Sequence, residues 1–247
     1  VRDGLVFLGE VTLAAALLVR GRKPFRWRDL ALVIDETGPR ALGIVGLVAV
    51  LVGMILAFIG AIQLRQFGAE VYVANLVGLG MVREMGAIMA AVVMAGRTGA
   101  AFAAELGTMK VNEEVDAFVT TGLSPVGFLA LPRLLGLVLT LPLLTVYAIL
   151  LGILGGAAIG ILVLGIPPAV YHDQTLQFMG LADAAVGVTK GFLFAFVVGL
   201  SGCYFGIRAG RDAAAVGKAT TSAVVTSIVL IIVVNAIVTV VADVLGV

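Results

Sequence analysis

The chain has 247 residues, of which 61% are hydrophobic and 13% charged, and its mean hydropathy is +1.17. These values exclude an ordinary water-soluble fold and indicate a polytopic membrane protein. A net charge of +1, with Lys and Arg confined to short groups beside apolar runs, offers no surface for nucleic acid. A single cysteine, Cys203, excludes a disulfide framework or thiolate metal site, and the one histidine, His172, has no clustered carboxylates to complete a metal site. Cys203 reads as a small packing residue, and His172, after Pro167-Pro168, as a solvated loop residue.

In chain order, residues 1–29 come first. Leu5, Leu8, Val11 and Thr12, then Ala15, Leu18 and Val19, recur at helical spacing, while Arg2, Asp3 and Glu10 interrupt the other face. The pattern predicts an amphipathic helix lying in the cytoplasmic interface, anchored by Arg22, Lys23, Arg26 and Trp27. Val11–Val19 is similar to the core of a signal peptide, but Arg20, Arg22 and Lys23 stand where small cleavage-site residues would be needed, so a cleaved signal is rejected.

A helix needs about 20 apolar residues to cross the hydrocarbon, which places the first crossing at 40–64. Val71–Ala104 carries only Arg83, Glu84 and Arg97, and divides into a short outer segment to about Gly80 and a second crossing at 82–104. The connection that follows predicts a coupling helix at 108–122. Asn112 is its N-cap, Glu113, Glu114 and Asp116 supply negative charge to its first turn, and Gly122 ends it. Its apolar face is Val111, Val115, Phe118 and Val119, and it must dock on its own bundle or on a cytosolic partner. The charge-free stretch Leu134–Tyr171 is too long for one perpendicular span and gives a third crossing at 134–161, followed by an outer loop or surface helix. Crossings at 187–208 and 219–243 make five. Most basic residues then fall on the cytoplasmic side if the N-terminus is inside, with Arg65 and Lys190 outside and the C-terminus periplasmic.

Ionised side chains within a crossing cost roughly 2.5–3.5 kcal/mol each and mark a functional site or an internal pair. Arg83-Glu84 is therefore the leading candidate site, the other reading being an ion pair that neutralises itself and pins two helices. Arg97 lies one residue from a small-residue ladder, Ala95, Gly99, Ala103 and Gly107, that permits close helix packing. It is expected to snorkel or to bond carbonyls of a neighbouring helix.

The run Arg83-Glu84-Met85-Gly86, with Ala95-Gly96-Arg97-Thr98-Gly99, Ala104-Glu105-Leu106-Gly107-Thr108-Met109-Lys110, Glu113-Glu114, Leu141-Pro142-Leu143-Leu144 and Gly155-Gly156, resembles the MlaE/YrbE family over about residues 30–247. These are permease subunits of ABC systems that carry MCE proteins and move phospholipids. The resemblance implies an all-α polytopic membrane protein of a single transmembrane permease domain, with five transmembrane helices, an N-terminal interfacial helix and a cytoplasmic coupling helix. It further implies a homodimer in the bacterial inner membrane, a cytosolic MlaF-type ATPase that uses the ATP, a periplasmic MlaD-type MCE ring, an MlaB-type STAS protein in many systems, and a role in outer-membrane lipid asymmetry. Leu64, Phe67, Arg83, Glu84 and Lys190 would surround the lipid, and Lys110, Glu113, Glu114, Asp116 and Phe118 would couple to the ATPase. The chain departs from the family pattern at Leu123–Phe128, where a more charged stretch is common, and at Ala87, where several members carry proline.

The residue types suit this chemistry, since a phospholipid needs a cation for its phosphate and an apolar wall for its chains. The chain has no Gly-rich phosphate loop followed by Lys-Ser/Thr, so a partner would hydrolyse the ATP; no cofactor, metal or catalytic residue is assigned to this chain. Two rival readings are a proton-coupled secondary transporter with Glu84 as proton carrier, and a noncatalytic membrane scaffold that recruits cytosolic proteins.

Overall fold

A computed structural model of the chain describes residues 2–20 and 27–246. The expected anchors Arg22, Lys23 and Arg26 lie outside the described residues. Among the described residues the fold is all-helical: α1 (Arg2–Val19), α2 (Trp27–Thr37), α3 (Leu42–Arg65), α4 (Val73–Gly80), α5 (Gly86–Met94), α6 (Ala100–Val111), α7 (Glu114–Thr120), α8 (Leu131–Leu162), α9 (Pro168–Phe178), α10 (Leu181–Ile207) and α11 (Ala213–Val244). Five runs among the described residues are long and apolar enough to cross a membrane: Trp27–Arg65, Glu70–Val111, Val126–Leu162, Leu181–Ile207 and Ala213–Val244.

These runs extend beyond the expected bounds because helical backbone continues through their polar ends. The first begins at Trp27, with α2 leading through the tight turn Pro39–Ala41 into α3. No break separates an outer segment from the second crossing: Gly80 has helical angles (φ −61°, ψ −40°), and α4, α5 and α6 are joined by two π turns, Met81–Met85 and Ala95–Gly99. The third crossing ends within a residue of its expected bound, α8 running through Gly155 and Gly156 to Leu162. His172 is exposed on α9, a helix and not a loop.

The chain forms two compact units, one of Val1–Arg40, Met94–Thr140 and Ala195–Ile231, the other of Ala41–Val93, Leu141–Phe194 and Ile232–Val247. In the first, α1 packs on the π turn Val126–Ala130. Its buried residues are Phe7, Val11 and Ala14, while Leu5, Leu8 and Leu13 are exposed. Leu5, Leu8 and Thr12, expected on the stripe that faces the membrane interface, are free of protein cover, while Val11 of that stripe turns inward with Phe7 and Ala14. Both sides are apolar, and the ring of Phe7, edge-on to Tyr204 at 5.5 Å, together with the Arg208–Asp3 pair at 2.8 Å, selects which one meets protein.

In the second unit, α3 packs against α4, and α4 against α9. Ala57, Ala61, Val73, Val77 and Met81 form its core, flanked by Leu56, Leu64 and Met85. α3 and α8 meet backbone to backbone: a Cβ on Gly53 would lie 1.9 Å from the Gly152 carbonyl oxygen. Lipid supplies no hydrophobic drive between helices, so such close contact carries the association.

Candidate functional site

The π turn Met81–Met85 carries the charged pair into the second unit. In it the Gly86 N–H reaches back five residues to the Met81 carbonyl, which shifts the usual four-residue pairing. Helix α10 approaches closely enough that a Cβ on Gly187 would lie 2.1 Å from the Val82 carbonyl oxygen. One turn further along α10, Lys190 Nζ donates to the Arg83 carbonyl at 3.1 Å.

Arg83 and Glu84 do not pair with each other. Consecutive helical residues point in diverging directions, and each finds a distant partner. Arg83 Nη1 lies 2.9 Å from Asp183 Oδ1, and Asp183 Oδ2 also accepts the Gly180 N–H at 3.1 Å. Glu84 Oε1 lies 2.6 Å from Lys190 Nζ, while Asn235 Nδ2 donates to Glu84 Oε2 at 3.0 Å. The Thr239 hydroxyl is 3.0 Å from Glu84 Oε1 and accepts from Lys190 at 2.9 Å. Among the described residues, two cations and two anions thus face one another, and the Glu84 carboxylate accepts further hydrogen bonds from Asn235 and Thr239.

Beside this cluster lies a cavity of about 630 Å³. Arg83 and Glu84 form its polar part, and Leu64, Leu76, Leu79 and Phe178 its apolar wall. Asn75 also lines it, donating through Nδ2 to Gln174 Oε1 at 3.2 Å while its Oδ1 has no partner among the described residues.

The expected site residues separate in this geometry. Leu64, Arg83 and Glu84 line the cavity, whereas Phe67 is 81% exposed and is not part of its wall. Lys190, expected as a cation for the headgroup, is 0% exposed and holds Glu84 and the π turn from behind. Lys190 is not part of the cavity lining, and Arg83 is the cation that lines it. Asp183, Asn235, Thr239, Asn75 and Phe178 were missed. Asn235 and Thr239 carried a signal, as polar residues four apart in an otherwise apolar helix.

The coupling segment lies in the first unit and is not one helix. Asn112 ends α6 instead of capping the next helix, its N–H returning to the Thr108 and Lys110 carbonyls. Glu113 then takes a left-handed conformation (φ 62°), and α7 begins at Glu114 and stops before Gly122 (φ 75°). The chain turns here because the left-handed residue breaks the ladder that a continuous 108–122 helix would need. Asp116 is bonded to Lys110 and to Arg211 Nη2 at 2.8 Å. The Lys110 hydrogen bond, with Arg211 beside it, holds the Asp116 carboxyl below its ordinary range. Phe118 packs on Phe128, ring centroids 4.9 Å apart, while Glu113 and Glu114 remain exposed.

A profile of the family described as Permease MlaE matches residues 31–241. A probable ABC transporter permease protein of Rickettsia typhi is 37% identical over 202 residues, 82% of this chain and 78% of that protein. Another, of Synechocystis, is 34% identical over 202 residues, 82% of this chain and 77% of that protein. The chloroplastic Arabidopsis thaliana protein TRIGALACTOSYLDIACYLGLYCEROL 1 is 30% identical over 224 residues, 91% of this chain and 63% of that protein. With its five apolar spans, the chain is a multi-pass membrane permease subunit and belongs to the MlaE family.

Proposed function

We propose that this permease takes a phospholipid into the cavity beside Arg83 and Glu84 and passes it between the inner membrane and a periplasmic MCE protein, so contributing to outer-membrane lipid asymmetry. The observation that carries the reading is the cavity itself: an apolar wall of Leu64, Leu76, Leu79 and Phe178 with charge at one part of its lining. Its volume of about 630 Å³ lies within the roughly 300–1,000 Å³ range of small-molecule sites. Arg83 offers the phosphate a fork of donors, and Glu84 and Asn75 Oδ1 offer acceptors to an amine or hydroxyl headgroup. The relative in Arabidopsis bears the name of a galactolipid, which supports a lipid substrate.

In this reading the chain works as a homodimer, N-terminus cytoplasmic and C-terminus periplasmic, with an MlaD-type ring and, in some systems, an MlaB-type STAS protein. ATP is hydrolysed by a separate MlaF-type ATPase that docks on α7 and the turn before it, where exposed Glu113 and Glu114 precede the anchored Asp116. The naming of the bacterial relatives as ABC transporter permeases supports such a partner.

The test is native mass spectrometry and ATP-driven lipid transfer with the purified complex. Bound phospholipid that is lost in Arg83→Ala, with assembly retained, is the expected result. Full lipid occupancy and transfer in that variant would overturn the assignment.

A further inference from the structure

The first unit holds a second polar site, under α2 and separate from the residues of the proposed transport cavity. A cavity of about 290 Å³ is lined by Glu36, Arg40, Arg97, Thr98 and Phe102. It adjoins another of about 300 Å³, with which it shares Glu36, Phe102 and Glu105.

Arg97 sits on the π turn Ala95–Gly99, inside a membrane-spanning run, and has no carboxylate partner among the described residues. Its Nη1 donates to the backbone carbonyl of Glu36 at 3.0 Å. A guanidinium has five N–H donors, so most of its capacity is unspent. Beside it Thr98, 4% exposed, gives its hydroxyl proton only to the thioether of Met94 at 3.7 Å, a weak acceptor.

The third donor is Arg40, whose pair with Asp35 is exposed on both sides at 62% and 56%. Pairs of that kind contribute little, so Arg40 can exchange Asp35 for a better anion. Glu36 also lines the cavity, and its carboxylate has no ion-pair partner among the described residues. Glu105, by contrast, is already taken by Arg133 at 3.0 Å. One cavity is therefore lined by unspent donors on Arg97, Thr98 and Arg40 and by a residue, Glu36, whose carboxylate is unpaired among the described residues.

We infer that this cavity binds a phosphate ester bearing an ammonium group, the phosphate on Arg97, Thr98 and Arg40 and the ammonium on Glu36. The volume suits a headgroup and not a whole lipid, being at the lower bound of ligand sites. Such chemistry belongs to an aminophospholipid headgroup at the membrane face and also to soluble phosphoethanolamine. The inference goes beyond the transport reading and shares no residue with the transport cavity.

The test uses the full chain with its copurified partners in phosphatidylcholine nanodiscs. These carry a trace of phosphatidylethanolamine or phosphatidylglycerol with a photoreactive diazirine near the glycerol. Labelled peptides are mapped after illumination. The expected result is labelling of residues 27–40 or 95–105, about tenfold stronger for phosphatidylethanolamine, as befits one charge-assisted contact.

Glu36→Gln keeps the backbone carbonyl that Arg97 uses, so it should abolish the headgroup preference without loosening α2. Arg97→Gln should remove both labels, and Arg97→Lys, which retains the charge, should restore part of them. Labelling that persists unchanged in Glu36→Gln and Arg97→Gln, or that never reaches these segments, overturns the inference. An excess of soluble phosphoethanolamine that suppresses the label supports the site with a free phosphate ester as its source, and a label that resists it supports the lipid. Glu84→Gln serves as control: it should impair transfer through the transport cavity and leave this labelling intact, so the two readings fail separately.

Discussion

Lys190 Nζ lies 2.6 Å from Glu84 Oε1 with none of the lysine side chain exposed, while Arg83, the chain neighbour of Glu84, is paired with Asp183. The lysine is therefore a strut: it neutralises Glu84 and ties α10 to the Arg83 carbonyl. Removing one member of a buried pair strands the other, at a cost of about 3–5 kcal/mol. Lys190→Met should destabilise the chain toward the lower end of that range, because Glu84 keeps 25% of its side chain exposed. The double variant Lys190→Met with Glu84→Gln should recover a substantial part of the loss. Thermal unfolding in detergent checks the order, and a double variant no better than the single would refute the strut.

The cavity wall can be tested without touching a charge. Leu76 and Leu79 are partly exposed, at 45% and 40%, and line the cavity. Leu76→Trp or Leu79→Trp should fill it while leaving the Glu84–Lys190 pair in place, at a cost toward the low end of about 1–3 kcal/mol because both positions are partly exposed. Copurifying lipid, counted by native mass spectrometry, should fall several-fold. Unchanged lipid content would place the ligand elsewhere.

The left-handed Glu113 separates backbone from charge. A non-glycine residue there carries strain of order 1 kcal/mol that glycine relieves. Glu113→Gly should therefore be neutral or stabilising by up to ~1 kcal/mol, and Glu113→Val should destabilise by about 1–2 kcal/mol. Charge reversal of Glu113 and Glu114 to lysine should weaken ATPase association and stimulated hydrolysis, whereas Glu113→Gly alone should weaken them less. Melting curves and pull-down with the ATPase distinguish these outcomes, and equal loss in both variants would make the turn, not the charge, the docking feature.

The Asp116 link has a defined pH behaviour. Its carboxyl is held below the ordinary value of 3.8 by the Lys110 hydrogen bond, so its contribution is complete above that value. It is lost only as pH falls through the lowered one. Amide exchange protection of residues 114–120, corrected for intrinsic rate, should stay flat from about pH 8 to about pH 5. Asp116→Asn should reduce protection across that whole window. A step in the wild-type profile near neutrality would contradict the assignment.

Much of the architecture was legible in the sequence because lipid imposes a strict rule: apolar runs long enough to span must become helices. The five crossings, the helix before them, the stop at Gly122 and the anomaly of Arg83, Glu84 and Arg97 in apolar surroundings all follow from that rule and from local residue chemistry. Helix ends were less legible, since helical backbone continues through the polar and largely exposed stretches Trp27–Thr37 and Glu70–Tyr72. The π turns left no mark in composition, although they aim both intramembrane arginines.

Partnership was the part that only folding could assign. Adjacent Arg83 and Glu84 suggest a pair by proximity in the chain, yet the two side chains diverge on the helix, and their charges are met by Asp183 and by Lys190, Asn235 and Thr239. Composition and periodicity state which residues must leave water and which charges must be satisfied. Which distant group satisfies each depends on how closely two backbones approach, as at Gly187 and Val82, and that distance exists only once the helices have packed.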